Sequence, residues 1–127
     1  MRYIVETEKS PQQAAEDLEA AVKRNDFGVL HIHDLKQTLK KKGFELPNEC
    51  RIFEICNPKQ ALEVLTDDMG MNLALPCRIS VYEEGGRTKI GMVKPTALLA
   101  ALSQSRKLMA VAEEVERKTI QIIEETK

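Results

Sequence analysis

The sequence predicts an α+β fold: one mixed sheet of about five strands, with helices mainly on one face, in the order βαβαβαββα. Three observations carry this. Short apolar runs with period two alternate with longer stretches whose apolar residues recur every three or four positions. Serine, aspartate and asparagine stand where helices should begin, twice with proline immediately after. Glycines stand where helices and a hairpin should turn. At 127 residues the chain fits a single domain, 1–127, with enough length to bury a core without disulfides or a metal.

Residues 2–6 alternate and read as the first strand. Ser10-Pro11-Gln12-Gln13 starts a helix, with Ser10 at the N-cap, Pro11 at the first helical position and Gln13 three residues after the cap. Ala14, Ala15, Leu18, Ala21 and Val22 form its apolar stripe, and Asn25-Asp26 ends it. Phe27 to His33 is the second strand. Asp34 caps a short helix carrying Leu35 and Leu39, which Gly43 stops; Leu46-Pro47-Asn48 is a loop. Cys50 to Cys56 is the third strand, with Ile52, Phe53 and Ile55 as apolar bulk.

Asn57 caps the next helix, with Pro58 at its first position, Ala61, Leu62 and Leu65 on its apolar face, and Gly70 at its end. Leu73 to Tyr82 is the fourth strand; Pro76 near its start marks a strand beginning or an edge. Gly85-Gly86 is a hairpin turn into Arg87 to Val93. Lys94-Pro95 leads into a helical tail with a break near Ser103–Ser105, and the C-terminal helix covers 105–126. Its stripe of Leu108, Val111, Ala112, Val115, Thr119 and Ile122 either completes the cover of the sheet or pairs with another copy.

Lys+Arg number 19 and Asp+Glu 20, so no global basic field attracts nucleic acid or an anionic membrane. Trp is absent and aromatics are 4%, which leaves few platforms for base stacking. The basic run Lys40-Lys41-Lys42 complements the dipole at the end of a short helix. Met1-Arg2-Tyr3-Ile4-Val5 meets Glu6 and Glu8 at once, unlike a secretory signal, and no apolar run is long enough to span a bilayer. The expectation is a cytoplasmic protein with neither nucleic acid nor membrane as a partner. Three cysteines, an odd number, argue against a disulfide framework.

The features from Phe27 onward, taken in order, resemble a bacterial and archaeal family known as domain of unknown function 302. The matching residues are Phe27-Gly28, Asp34-Leu35, Leu39 with Gly43, Cys56-Asn57-Pro58 with Ala61, Leu75-Pro76-Cys77-Arg78, Val81-Tyr82-Glu83 and Gly85-Gly86, over about 27–95. The specific part is the pair Cys-Asn-Pro and Leu-Pro-Cys at this separation. The resemblance implies a compact, dimeric α+β domain grouped with TATA-binding-protein-like sheets. It implies no reaction, and fold analogy does not transfer DNA binding.

Cys56 precedes the cap Asn57, where the positive end of a helix dipole favours thiolate and where N–H groups can hold an anion. The alternative is a small buried cysteine at a strand end. Cys77 alternates with Leu75, Ile79 and Val81, which puts it on the apolar side of its strand. Whether the two cysteines meet depends on strand order. A parallel crossover separates them by several strand residues; antiparallel strands let them converge. Cys50, six residues before Cys56, is incidental.

His31 and His33 share one side of a strand and are metal-ligand candidates, alone or with Cys56; they equally suit solvated side chains opposite Leu30 and Ile32. No nucleophile elbow, phosphate-binding glycine loop, zinc-finger spacing or dinucleotide fingerprint is present. Three functional readings follow. The leading one is a non-enzymatic, homodimeric binding or sensing domain that holds a small ligand or metal near Cys56, Asn57, Pro58 and Cys77. The second is a thiol-based redox or detoxification protein, with Cys56 as nucleophile and Cys77 as resolving thiol. The third is a structural interaction protein with both cysteines in the core.

Overall fold

The computed structural model describes residues Met1–Lys127. Its five strands are β1 (Arg2–Thr7), β2 (Gly28–Asp34), β3 (Cys50–Cys56), β4 (Cys77–Glu84) and β5 (Arg87–Val93). They form one sheet in the order β1-β5-β4-β3-β2. The helices are α1 (Pro11–Arg24), α2 (Leu35–Lys41), α3 (Pro58–Asp67), α4 (Pro95–Leu102) and α5 (Arg106–Thr126), with a 3-10 turn over Met69–Ala74. The α+β class, the five strands and the helical break around Ser103–Ser105 agree with the sequence reading.

One detail differs. The sequence leads to a mixed sheet, whereas every neighbouring pair here is antiparallel. The reason lies in the segment between β3 and β4. A parallel crossover would carry the chain to the opposite end of the sheet. Instead α3 and the 3-10 turn fold back to the end they left, so β3 finishes where β4 begins. The 3-10 turn also takes up Leu73 and Ala74, and β4 starts at Cys77 rather than Leu73. Proline supplies no N–H to a ladder, which explains why the strand begins just after Pro76. The Leu75–Pro76 peptide bond is cis.

Alternation decides which face is buried. Phe53 and Ile55, Ile79 and Val81, and Ile90 and Met92 point to one side of their strands and are buried there against Ala14, Leu18, Ala21 and Val22 of α1 and Ile122 and Ile123 of α5. The stripe of α5 therefore covers its own sheet. Residues of the opposite sheet face, among them Ile4, Ile52, Glu54 and Tyr82, stay half-buried or exposed. A second, smaller cluster gathers Met71, Leu99, Leu108 and Ala112 where α4 meets α5.

Local chemistry fixes the helix ends. The side chains of Ser10, Asp34, Asn57 and Ser105 each accept a hydrogen bond from the backbone N–H three residues on, at 3.1–3.2 Å. Lys94 provides no such cap for α4. There the N–H and hydroxyl of Thr96 both donate to Glu116 Oε1, at 3.2 and 2.7 Å, so α5 caps its neighbour. Lys9 Nζ donates to Asp17 and to the backbone oxygen of Thr126, both at 2.7 Å, tying the start of α1 to the end of α5. At the hairpin, Gly85 and Gly86 have φ of 60° and 75°, the left-handed conformation that such two-residue turns require. No helix is long and apolar enough to cross a membrane.

Candidate functional site

Antiparallel pairing brings the two cysteine motifs to the same end of the sheet. Ile55 is the register partner of Cys77, so Cys56 lies one position beyond it. Cys77 sits on the core side with Ile79 and Val81, as its alternation requires. Both cysteines line a cavity of about 310 Å³ beneath the start of α3. Burial pushes the Cys77 thiol up to about 11, and the neighbouring Cys56 adds to the rise. At neutral pH Cys77 is therefore a neutral thiol. Neither forms a disulfide.

Asn57 and Pro58 shape this end of the molecule. Asn57 Oδ1 accepts the Gln60 N–H at 3.1 Å, and its Nδ2 donates to the Asp26 backbone oxygen at 3.4 Å. Both ends of that side chain are thus committed to the scaffold. Asp26 holds a left-handed φ of 63°, the turn that closes α1 before β2. Pro58 occupies the first turn of α3, where its missing N–H costs nothing.

The residue that sequence reasoning misses is Gln60. It is only 9% exposed, it lines the cavity, and its Oε1 has no hydrogen-bond partner. Buried polar atoms are nearly always paired, so an orphaned buried acceptor on a residue that lines an apolar cavity is the strongest chemical signal at this end of the molecule. The visible hint is spacing: Asn57-Pro58-Lys59-Gln60 repeats the pattern of Ser10-Pro11-Gln12-Gln13. Spacing alone does not reveal that one glutamine is buried and the other exposed.

A second cavity of about 490 Å³ adjoins the first, between α4, α5, the 3-10 turn and the ends of β4 and β5; 14 of its 18 lining residues are hydrophobic. The two share Val64, Leu75, Pro76, Cys77 and Val115. Each volume falls within the roughly 300–1,000 Å³ of small-molecule sites.

The histidines lie elsewhere. His31 and His33 are register partners of Glu54 and Ile52. Their rings stand edge to face at 4.4 Å, and His33 Nε2 is hydrogen-bonded to Glu54 Oε1. No three His, Cys, Asp or Glu side chains are arranged to hold a metal ion, so His31, His33 and Cys56 do not form the mixed site the sequence allows. A register shift between Val29 and His31 leaves Leu30 62% exposed instead of on the buried side. Cys50 pairs with Tyr82 at the far end of β3, away from both cavities, and its thiol is raised by burial and by Asp34.

Fold and cavities together describe an α+β sheet-and-helix domain with an apolar, ligand-sized space at one end of the sheet. The chain belongs to the family described as Domain of unknown function DUF302, whose model matches residues 3–126. It is similar to a solved protein, the crystal structure of the uncharacterized conserved protein DUF302 from Bacillus stearothermophilus. The two are 32% identical with a TM-score of 0.94, over 99% of this chain and 98% of that one. No curated protein matches the chain.

Proposed function

We propose that the protein is a non-enzymatic binding domain for a small, mostly apolar ligand that carries a hydrogen-bond donor, seated in the cavity beneath α3. The unpartnered Oε1 of Gln60 carries this reading. A buried acceptor without a partner costs about 1–3 kcal/mol, and a ligand N–H or O–H in the cavity relieves that cost. Apolar walls with a single convergent polar group are the usual make-up of small-molecule sites. The Cys77 thiol, held neutral by burial, is a poor resolving thiol, because the thiolate is the reactive form. The three free cysteines suit a cytoplasmic protein.

The test is a titration with hexanol followed by amide NMR. Saturable shifts should centre on Gln60, Ala61, Val64 and Cys77. Gln60→Leu should abolish them, and Gln13→Leu should leave them. Absence of saturable shifts, or shifts centred on another part of the fold, would overturn the reading.

For the homodimer we propose an interface on the open sheet face. Ile4 and Val93, 40% and 49% exposed, lie diagonally adjacent on β1 and β5 of that face. They are flanked by Arg2 and Glu6, and a face with both signs of charge can be self-complementary across a two-fold axis. Light scattering at high micromolar concentration should give a dimer that Ile4→Glu dissociates; a monomeric parent protein would defeat this proposal.

A further inference from the structure

We infer that the larger cavity is a second binding site, for the straight alkyl chain of an amphiphile whose polar head stays in solvent. Gln60 does not line this cavity, so the site stands apart from the one beneath α3. Of its 18 lining residues, 14 are hydrophobic and two more are prolines. Neither of the other two brings a free charge or hydroxyl proton into it. Arg78 is exposed and alternates with the core-side Cys77 and Ile79, so its guanidinium lies on the open sheet face with its register partner Glu54. Thr119 is buried and donates its hydroxyl to the backbone oxygen of Val115 at 2.9 Å.

Protein interiors hold few voids larger than a water molecule, so a space of about 490 Å³ calls for an occupant. The walls select it. A water molecule needs about two to four polar partners, and these walls do not supply them. A peptide segment would strand its N–H and C=O groups there. No lining side chain is aromatic, so a ring would find no stacking partner. Met71, Met92 and the leucines are flexible and adapt to a hydrocarbon chain. The way in is apolar too. Leu73 and Leu98 line the cavity while remaining 83% and 39% exposed, and Leu102, one turn after Leu98 on α4, is 47% exposed. Exposed apolar residues beside a concave site indicate that it receives apolar matter. A chain entering along them leaves its head in water.

The test uses hexyl, octyl and decyl β-maltoside, which share one neutral head and differ only in chain length. Binding to the intact protein is followed by NMR at concentrations below micelle formation. Each added methylene should tighten binding about fourfold, and the shifts should centre on Met71, Leu98, Leu99 and Leu108. Ala112→Phe fills the cavity from α5 and should weaken decyl maltoside binding by about tenfold or more; should that variant not fold, Val111→Phe takes its place. Gln60→Leu should bind decyl maltoside as the parent protein does. Affinity that ignores chain length, shifts centred on Ile4 and Val93 of the open sheet face, or binding that survives the filling variants would overturn the inference. Loss of decyl maltoside binding in Gln60→Leu would overturn it too, by placing the chain in the cavity beneath α3, whereas failure of the hexanol titration alone would defeat only the reading of that smaller cavity.

Discussion

Helices α1 and α3 begin with the same local grammar and meet different fates. Each has a polar N-cap, then proline, then a glutamine whose backbone N–H donates to the cap at 3.1 Å. From there α1 buries Ala14, Ala15, Leu18, Ala21 and Val22, whereas α3 buries only Gln60. Gln13 is exposed and its amide donates to Asp17 at 2.9 Å; Gln60 is enclosed with its oxygen unpaired. The helix α1 crosses under the sheet and is part of the core. The helix α3 stands off one end of it and roofs a cavity. Equal helix-start signals therefore say nothing about packing, which depends on what the rest of the chain puts opposite each helix.

The largest test of this contrast is truncation. Leu18→Ala, at a fully buried site, should cost about 2–5 kcal/mol, while Leu65→Ala on the half-buried face of α3 should cost about 1 kcal/mol or less. Chemical denaturation of both variants measures the difference, and equal losses would mean that α3 is core after all.

A second test uses pH. The Cys77 thiol rises from an ordinary 9.0 to about 11 in the fold, so the folded state holds the proton more tightly. Stability from this group is full below about pH 9. It should fall by up to about 3 kcal/mol as pH rises through 11. Cys77→Ala should flatten that part of the stability profile, and alkylation of native Cys77 should be slow at neutral pH.

Filling space separates the two helices in the opposite sense. Ala14→Leu forces a side chain into a packed core and should cost about 1–3 kcal/mol. Ala61→Leu grows into the cavity and should change stability by less than about 0.5 kcal/mol while, on the proposed binding function, weakening hexanol binding. Thermal melts and the hexanol titration report the two effects.

The smallest expected effect is on the glutamines. Gln60→Leu removes an unpaired buried acceptor and should stabilise the protein by about 1 kcal/mol. Gln13→Leu removes a surface hydrogen bond and should move stability by less than about 0.5 kcal/mol. Denaturation midpoints decide, and a destabilised Gln60→Leu would show that its side chain has a structural partner.

The elements themselves were legible in the local sequence. Caps at Ser10, Asp34 and Asn57, the Gly85-Gly86 turn and the alternation through β3 and β5 are local events, set within a few residues by hydrogen bonding and sterics. For the same reason it placed Cys77 on the apolar side of its strand. Packing across the fold set the rest: that β3 and β4 run antiparallel, that α5 covers its own sheet, that no three side chains around His31 and His33 are arranged for a metal ion, and that Gln60 rather than Asn57 is buried with an unpaired oxygen. These depend on which distant surfaces meet. A side chain's neighbours across the fold are not encoded in its own spacing, so the orphaned oxygen of Gln60 becomes visible only once the chain is folded and Gln60 is buried.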